Sequence, residues 1–489
     1  MINLLLNDRR GTVAPEMYST LIEKYGTLMD GIWVGDDPTI PNHNGLRLDT
    51  IEAFRELGMA MVRFPGGTPA DYYRWRDGIG PPGKRARTWN YFFGGEDDNE
   101  FGTDEFLRFC EAAGAKGCIK LNPITAPLHE ALDWMQYCNY DGNTDLANER
   151  RNNGHPAPYG VTHWIIGNET SDTYMPEQYA DLVFQWTFYM RQIDPLAKII
   201  ATASKMDWNE RFLKRFAEIS KKGGIASHNF TRASEAGIKI QPGWKFHMLG
   251  LNYADEETIL SAIDGIERYF GPDSIELCIE EWEGQTEFTC GWPEQWRQTM
   301  SVYEIVLQQG RTTDLKYEND SRLDGAMIAA EKMHVYMRYA RYVKMTSFLY
   351  PTNTWSPLIK TNGPQFVRTT HFHALKMLHA HVGGEVVAAE SDEMDVMASI
   401  RPDNGQLTVS LLNPDPKRAV DTAVNLNGGH GKGPQSMQVQ VLTGDGADQN
   451  TFEQPDKVIP RADKAEIRDG KIMVTCPPMS LTLINCDLA

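Results

Sequence analysis

Two apolar runs in this chain end on carboxylates. "WIIGNET", Trp164 to Thr170, finishes on Asn168 and Glu169, and "SIELCIEEW", 274–282, finishes on Glu280, Glu281 and Trp282. A carboxylate beneath apolar walls is desolvated, which raises its pKa and lets it act as an acid near neutral pH. An amide such as Asn168 costs less to bury and can hydrogen-bond a sugar hydroxyl or fix its neighbour. Two carboxylates facing one cavity are the equipment of glycoside hydrolysis: one protonates the leaving oxygen, and the other attacks the anomeric carbon or activates water. The competing reading makes each Glu a salt-bridged strand end. Side chains alternate across a strand. Ile275, Leu277, Ile279 and Glu281 share one side. This parity predicts Glu281 in the cavity and Glu280 toward the helix layer, where an acid needs a partner.

The elements that would carry these residues alternate. "AMVRFPGG" (60–67) reads as strand and turn, "TDEFLRFCEAAGA" (103–115) as a helix with Phe106, Phe109 and Cys110 on one stripe, and "GCIKLNP" (117–123) as the next strand. "VTHWIIGNE" (161–169) is another strand. The helix "MPEQYADLVFQWTFYMRQI" (175–193) follows it, with Tyr179, Leu182, Val183, Trp186, Tyr189 and Met190 on one face. "KIIATAS" (198–204), "FHMLGLNYA" (246–254), "SIELCIEEW" and "KMTSFLYPTN" (344–353) continue the strands, with a long helix over 324–342 before the last. About eight such repeats predict a (β/α)8 TIM barrel of the α/β class, whose active site gathers at the C-terminal strand ends. A doubly wound sheet would want a GxGxxG turn after its first strand, and none stands there.

Past residue 384 the runs become strand-length, with a turn at Asp403-Asn404-Gly405. The expected division is therefore an N-terminal strand segment (1–17) joining the β domain, a catalytic barrel (18–382), and a C-terminal antiparallel β-sandwich domain (383–489). The loop 139–158 is long and polar, which in a compact domain points to function.

Bulk properties narrow the partners. The chain has 489 residues and a formal net charge of -18, and such acidity disfavours nucleic acid. No apolar run spans a bilayer, and "MINLLLNDRRG" does not read as a secretory signal. Seven scattered cysteines without a CxxC pair suit a reduced, cytoplasmic protein. "THFHALKMLHAH" (370–381) pairs histidines at i,i+2, which a helix does not bring onto one face, so no metal and no cofactor are expected. Trp75, Trp89, Tyr91, Phe92 and Phe93 either line a sugar cleft or pack under loops.

"WIIGNET" with the preceding "NGHPAPYGVTH" closely resembles the acid/base strand of family-51 glycoside hydrolases, the α-L-arabinofuranosidases of the large retaining barrel clan. "VRFPGGTPADYYRWRDGIGPPGKR" (62–85), "NEFGTDEFLRFCEAAGA" (99–115), "YSTLIEKYG" (18–26), "DGIWVGDDPTIPN" (30–42) and "IEEWEG" (279–284) are similar to further signatures of that family. The likeness is dense over roughly residues 1–200 and thinner beyond. It implies a retaining, exo-acting hydrolase with Glu169 as general acid/base and Glu281 as nucleophile. Asn168 would bind the 2-hydroxyl, Glu23 would hold sugar hydroxyls, and Arg63 would orient the nucleophile and keep it ionised.

Four departures from the family pattern fall in the substrate subsite. Thr68 stands where Cys or Asn is usual, and Asn252-Tyr253-Ala254 replaces His-x-Tyr. Trp355 replaces a sugar-binding Gln, and Lys24 replaces the His after the glutamate. A Trp offers a ring face where a Gln offers hydrogen bonds. The same chemistry on another furanoside, or on a β-linked xyloside, glucoside or uronide, is therefore an alternative; a sugar-binding homologue without catalysis is another. The resemblance also implies an oligosaccharide or glycoside as substrate and assembly into a homo-oligomer.

Overall fold

The computed structural model describes residues 1–24, 28–91, 96–204, 206–222, 246–284, 321–428 and 433–488. Strand β1 (Ile2–Thr12) comes first. Apart from short two-stranded pairs, eight barrel strands follow: β2 (Ser19–Leu21), β3 (Met61–Phe64), β4 (Lys116–Leu121), β5 (His163–Ile166), β6 (Lys198–Thr202), β7 (Met248–Asn252), β8 (Glu276–Trp282) and β9 (Val343–Phe348). They close into one barrel in chain order. Pairing is parallel, with Ile119 beside Trp164 and Ile200 beside both Ile165 and Met248. Strands covered on both faces need continuous apolar runs, and all four residues of β5 are buried.

A helix follows each strand. They are α1 (Leu48–Leu57), α2 (Thr103–Ala113), α3 (Leu128–Asn139), α4 (Asp145–Asn152), α5 (Pro176–Ile193), α6 (Met206–Lys222), α7 (Glu256–Phe270), α8 (Leu323–Arg338) and α9 (Thr370–Leu378), with α4 an extra helix after β4. The stripe of α2 is buried as its spacing predicts. In α5 the buried face is rotated: Ala180 and Phe184 go inside, while Leu182 is half-buried and Tyr189 exposed. The 139–158 segment departs from its reading as a loop. Thr144 accepts from the Ala147 N–H and starts α4, whose last turn carries Arg150 and Arg151. A polar stretch without an apolar stripe still forms a helix when it is capped and charged in the right sense.

The C-terminal strands are β10 (Glu385–Ser391), β11 (Asp395–Ile400), β12 (Leu407–Asn413), β13 (Val420–Asn427), β14 (Pro434–Thr443), β15 (Arg461–Asp463), β16 (Glu466–Arg468), β17 (Lys471–Cys476) and β18 (Ser480–Leu488). With β1 they form a curled sheet in the order β15-β14-β18-β12-β11-β10-β1-β13-β17-β16. As expected, β1 joins this sheet, antiparallel to β10 and parallel to β13, and buries Ile2, Leu4 and Leu6 in its core. The turn before β12 has Gly405 at φ 73°, a left-handed conformation that favours glycine.

The chain packs as two compact units: Met1–Thr20, Tyr25–Ala60 and Trp282–Ala489 form the first, Leu21–Lys24 and Met61–Glu281 the second. Within the first, a buried polar chain ties α8 and the α9 end to the sheet. His381 sits between Ser399 Oγ (2.8 Å) and Ser410 Oγ (2.9 Å). Ser410 Oγ meets His334 Nε2 at 2.7 Å, and His334 Nδ1 meets Asp395 Oδ2 at 2.6 Å. Ser410 is fully buried, so this Ser-His-Asp series joins elements and offers no nucleophile to solvent.

Burial pushes the His381 imidazole from 6.5 down to about 3. Between those values the unfolded chain binds a proton that the folded chain refuses, so this contribution is complete above pH 6.5 and is lost as pH falls. Urea midpoints should therefore drop from pH 7 to pH 5. His381→Gln should lower stability at pH 7 by roughly 1–3 kcal/mol and flatten the pH slope by about one proton. An unchanged slope would contradict the assignment.

Candidate active site

The second unit brings the C-terminal ends of its barrel strands together. Arg63 on β3 is fully buried. Its guanidinium donates to Glu281 Oε1 at 2.7 Å and to the Glu280 backbone carbonyl at 2.7 Å. Lys120 on β4, also fully buried, places Nζ 2.6 Å from Asn168 Oδ1 and 2.9 Å from Glu280 Oε2. Asn168 Nδ2 lies 3.4 Å from Glu169 Oε2. Asn252, at the end of β7, also hydrogen-bonds Glu169.

Glycines make the convergence sterically possible. Gly66 has φ 114°, and a Cβ there would lie 2.5 Å from Glu23 Cβ. At Gly67 a Cβ would meet Glu281 Oε1 at 3.1 Å, with Asn168 Oδ1 and Glu23 Oε2 each at 3.7 Å. Three candidate residues from three strand ends thus surround one point of the Gly66-Gly67 turn. Glu169 itself adopts φ 42°, an uncommon conformation for a residue with a side chain and one that clusters at functional sites.

The expected orientation of Glu280 is corrected. Its carboxylate reaches Lys120 and lies 3.8 Å from Arg63, on strands across the barrel, so it points inward rather than toward the helices. The reason is that the apolar set of β8 faces the helices: Cys278, which shares the parity of Glu280, lies in the interior with Arg63, Cys118 and Lys120. Beyond it the register shifts, Leu251 pairing with Ile279 but Asn252 with Glu281, and this irregularity lets Glu281 face the site as well. The partner that an inward acid requires is present.

Burial, and next the charge of Glu281, raise the Glu169 pKa above its ordinary 4.5, while Lys120 and the Asn252 hydrogen bond oppose the rise. Asp71 behaves similarly. Burial pushes it up to about 7, against Lys120 and the Asn168 backbone N–H it accepts at 3.2 Å. Neither Lys120 nor Asp71 stood out in the sequence reading. A lysine inside the apolar strand "GCIKL" was an available signal; Asp71 in "TPADYY" offered none.

The other candidates are distributed unevenly. Thr68, half-buried, opens a short helical turn to Asp71 and lines a cavity of about 920 Å³ with Asp71, Tyr72, Asn122 and Trp134. Trp89 is exposed and lines a smaller cleft beside Lys24, which is ion-paired with Asp97 at 2.7 Å. Tyr253 is exposed at φ 47°, and its backbone N–H donates to the Glu281 carbonyl. Trp75 is buried against Trp134, which is the packing alternative. Trp355 belongs to the first unit, half-buried at φ 58° with its ring 5.6 Å from Tyr350. Phe92 and Phe93 lie outside the described residues. Of the expected histidines, His371 contacts the Gly284 carbonyl at 2.7 Å, and burial lowers His373 to about 4.

Comparison with known proteins shows what the chain is similar to. A family model described as alpha-L-arabinofuranosidase 1 domain matches residues 53–236, and one described as alpha-L-arabinofuranosidase C-terminal domain matches residues 296–480. An intracellular exo-alpha-L-arabinofuranosidase of Bacteroides ovatus is 27% identical over 97% of this chain and 93% of its own. A probable alpha-L-arabinofuranosidase C of Aspergillus terreus is 38% identical over 38% of each chain. The family-51 arabinofuranosidase structure from Xanthomonas axonopodis pv. citri shares the fold with a TM-score of 0.84 at 22% identity, covering 99% of both chains. The arabinose complex of the Thermotoga maritima alpha-L-arabinofuranosidase gives a TM-score of 0.80 at 22% identity, again over 99% of both.

Gly250 on β7 tests the seating of Glu280, because a Cβ there would lie 1.8 Å from Glu280 Oε1. Gly250→Ala should drive Glu280 off Lys120 and destabilise the protein by about 3–5 kcal/mol, the cost of splitting a buried ion pair. Urea unfolding measures it, and a midpoint equal to wild type would refute this packing.

Proposed function

We propose that this chain, an α-L-arabinofuranosidase-like protein of glycoside hydrolase family 51, is a retaining, exo-acting glycoside hydrolase that releases α-L-arabinofuranosyl residues from oligosaccharides or other glycosides. The observation that carries the reading is the pair of carboxylates at separate strand ends, electrostatically coupled and held in different surroundings. Glu281 receives a charged hydrogen bond from Arg63. Glu169 is desolvated and held above the usual carboxylate range.

In the first step Glu169 donates its proton to the leaving oxygen while Glu281 attacks the anomeric carbon and forms a glycosyl-enzyme. The leaving group departs as the neutral alcohol. Glu169, now ionised, takes a proton from water, which attacks the same carbon, frees the sugar and regenerates Glu281. The raised pKa of Glu169 suits both roles, since the group must exchange a proton near neutral pH.

Glu23, Arg63, Thr68, Asn168, Asn252 and Tyr253 are assigned to substrate contact. Trp89 and Trp355 are assigned on residue type, because an aromatic face suits a sugar ring. Catalysis is assigned to residues 18–382. We infer a cytoplasmic, homo-oligomeric enzyme. The cytoplasmic part is supported by the intracellular relative and by buried thiols at Cys110, Cys118, Cys138, Cys278, Cys476 and Cys486. Among the described residues no helix is long and apolar enough to cross a membrane.

A panel of nitrophenyl furanosides and pyranosides should give turnover foremost on the α-L-arabinofuranoside. Glu281→Ala should reduce that turnover by about 10⁴-fold or more, with azide restoring product as the glycosyl azide. Turnover on the panel that survives this substitution would rule out Glu281 as nucleophile, and preference for a pyranoside would move the substrate to the alternative class.

A further inference from the structure

We propose that Lys120 is a positioning residue that clamps the Asn168 carboxamide in one orientation, so that Asn168 meets the substrate only as a hydrogen-bond donor. The inference rests on the glycosidase reading for its substrate, and on Lys120, Asn168 and Glu280 for its geometry.

An ammonium has three donors and no acceptor. The Asn168 atom 2.6 Å from Lys120 Nζ must therefore be the amide oxygen. That fixes the other end: Nδ2 is turned to the Glu169 side, 3.4 Å from Oε2. An unclamped asparagine presents either its oxygen or its NH₂ after a half-turn about the last torsion, and a sugar hydroxyl can satisfy both. The clamp removes that choice. A hydroxyl placed against Asn168 must accept from Nδ2, and its own proton is left for a carboxylate, of which Glu281 and Glu23 border the same turn.

The clamp is held from behind. Glu280 lies 2.9 Å from Lys120 Nζ, and neither of its carboxylate oxygens accepts an aligned hydrogen bond. Its contribution is therefore charge, which holds the ammonium in place. The missing side chain at Gly250 gives Glu280 the room to do so. None of these three groups needs to touch the reacting atoms.

Lys120→Met alone strands the Glu280 charge and is expected to unfold the barrel. The informative protein is the double variant Lys120→Met/Glu280→Gln, which removes both charges from the intact chain. Binding is measured by calorimetry with 1,4-dideoxy-1,4-imino-L-arabinitol and with its analogue lacking the 2-hydroxyl. Turnover is measured on the matching aryl arabinofuranosides. For the compounds that carry the hydroxyl, the double variant should lose on the order of 10- to 100-fold, one charged-network hydrogen bond. For the deoxy compounds it should match wild type within about threefold.

Equal losses on both compounds would make Lys120 merely structural and overturn the proposal, as would no loss on either. Binding that discriminates as expected without any turnover in wild type would uphold the clamp and defeat the glycosidase reading. A wild-type protein that binds neither iminosugar would overturn both.

Discussion

Two cations and two anions share the buried interior of the barrel. Arg63, Lys120 and Glu280 are at most 1% exposed, and Glu281 is 8% exposed. Charges removed from water are tolerated only when each finds an opposite within a few ångströms. Here each does: Arg63 has Glu281 at 2.7 Å and Glu280 at 3.8 Å, and Lys120 has Glu280 at 2.9 Å. The requirement reaches outward into the backbone. It demands an inward acid at two successive positions of β8, which regular pleating forbids, and the register break supplies it. It demands no side chain at Gly250, where any would overlap Glu280.

Because that cluster is neutral as a whole, the acid at its rim is free to be different. Glu169 stands at the end of a wholly buried strand, in a left-handed conformation, half-exposed to the site. Its surroundings raise its pKa, whereas Glu281 accepts a charged hydrogen bond from Arg63. Two carboxyl groups of the same chemistry thereby receive different work from their environments. Strain at Glu169, Tyr253 and the Gly66-Gly67 turn is offset by the packing of the strands beneath. Elsewhere in the chain, the His334, His381 and Ser410 series joins α8 to the sheet by the same rule of full polar satisfaction.

Much of this was readable in residue order. Continuous apolar runs separated by amphipathic stretches give a parallel barrel little competition, and carboxylates ending two such runs mark where chemistry would sit. The capped helix at Asp145–Asn152 was hidden because it buries few of its residues and so has no apolar period to read. Glu280 was misdirected because parity tells which residues share a side but not which side is inside, and in this barrel the apolar set of β8 faces the helices. Lys120 was visible as a residue but not as a role: its meaning depends on Asn168 and Glu280, which are distant in sequence and adjacent only after the barrel closes. The turn to Asp71 shows the same limit, since its hydrogen bond spans from 71 to 168.

The account stands on Glu169 and Glu281 sharing one low-dielectric site. Carbon-13 NMR of glutamate carboxyls, assigned by substitution at Glu169, measures this without turnover. In the wild type Glu169 should titrate above 4.5, and in Glu281→Gln its midpoint should move down, because a neighbouring negative charge has been removed. A Glu169 midpoint that is the same in both proteins would place the two acids in separate environments and contradict the account.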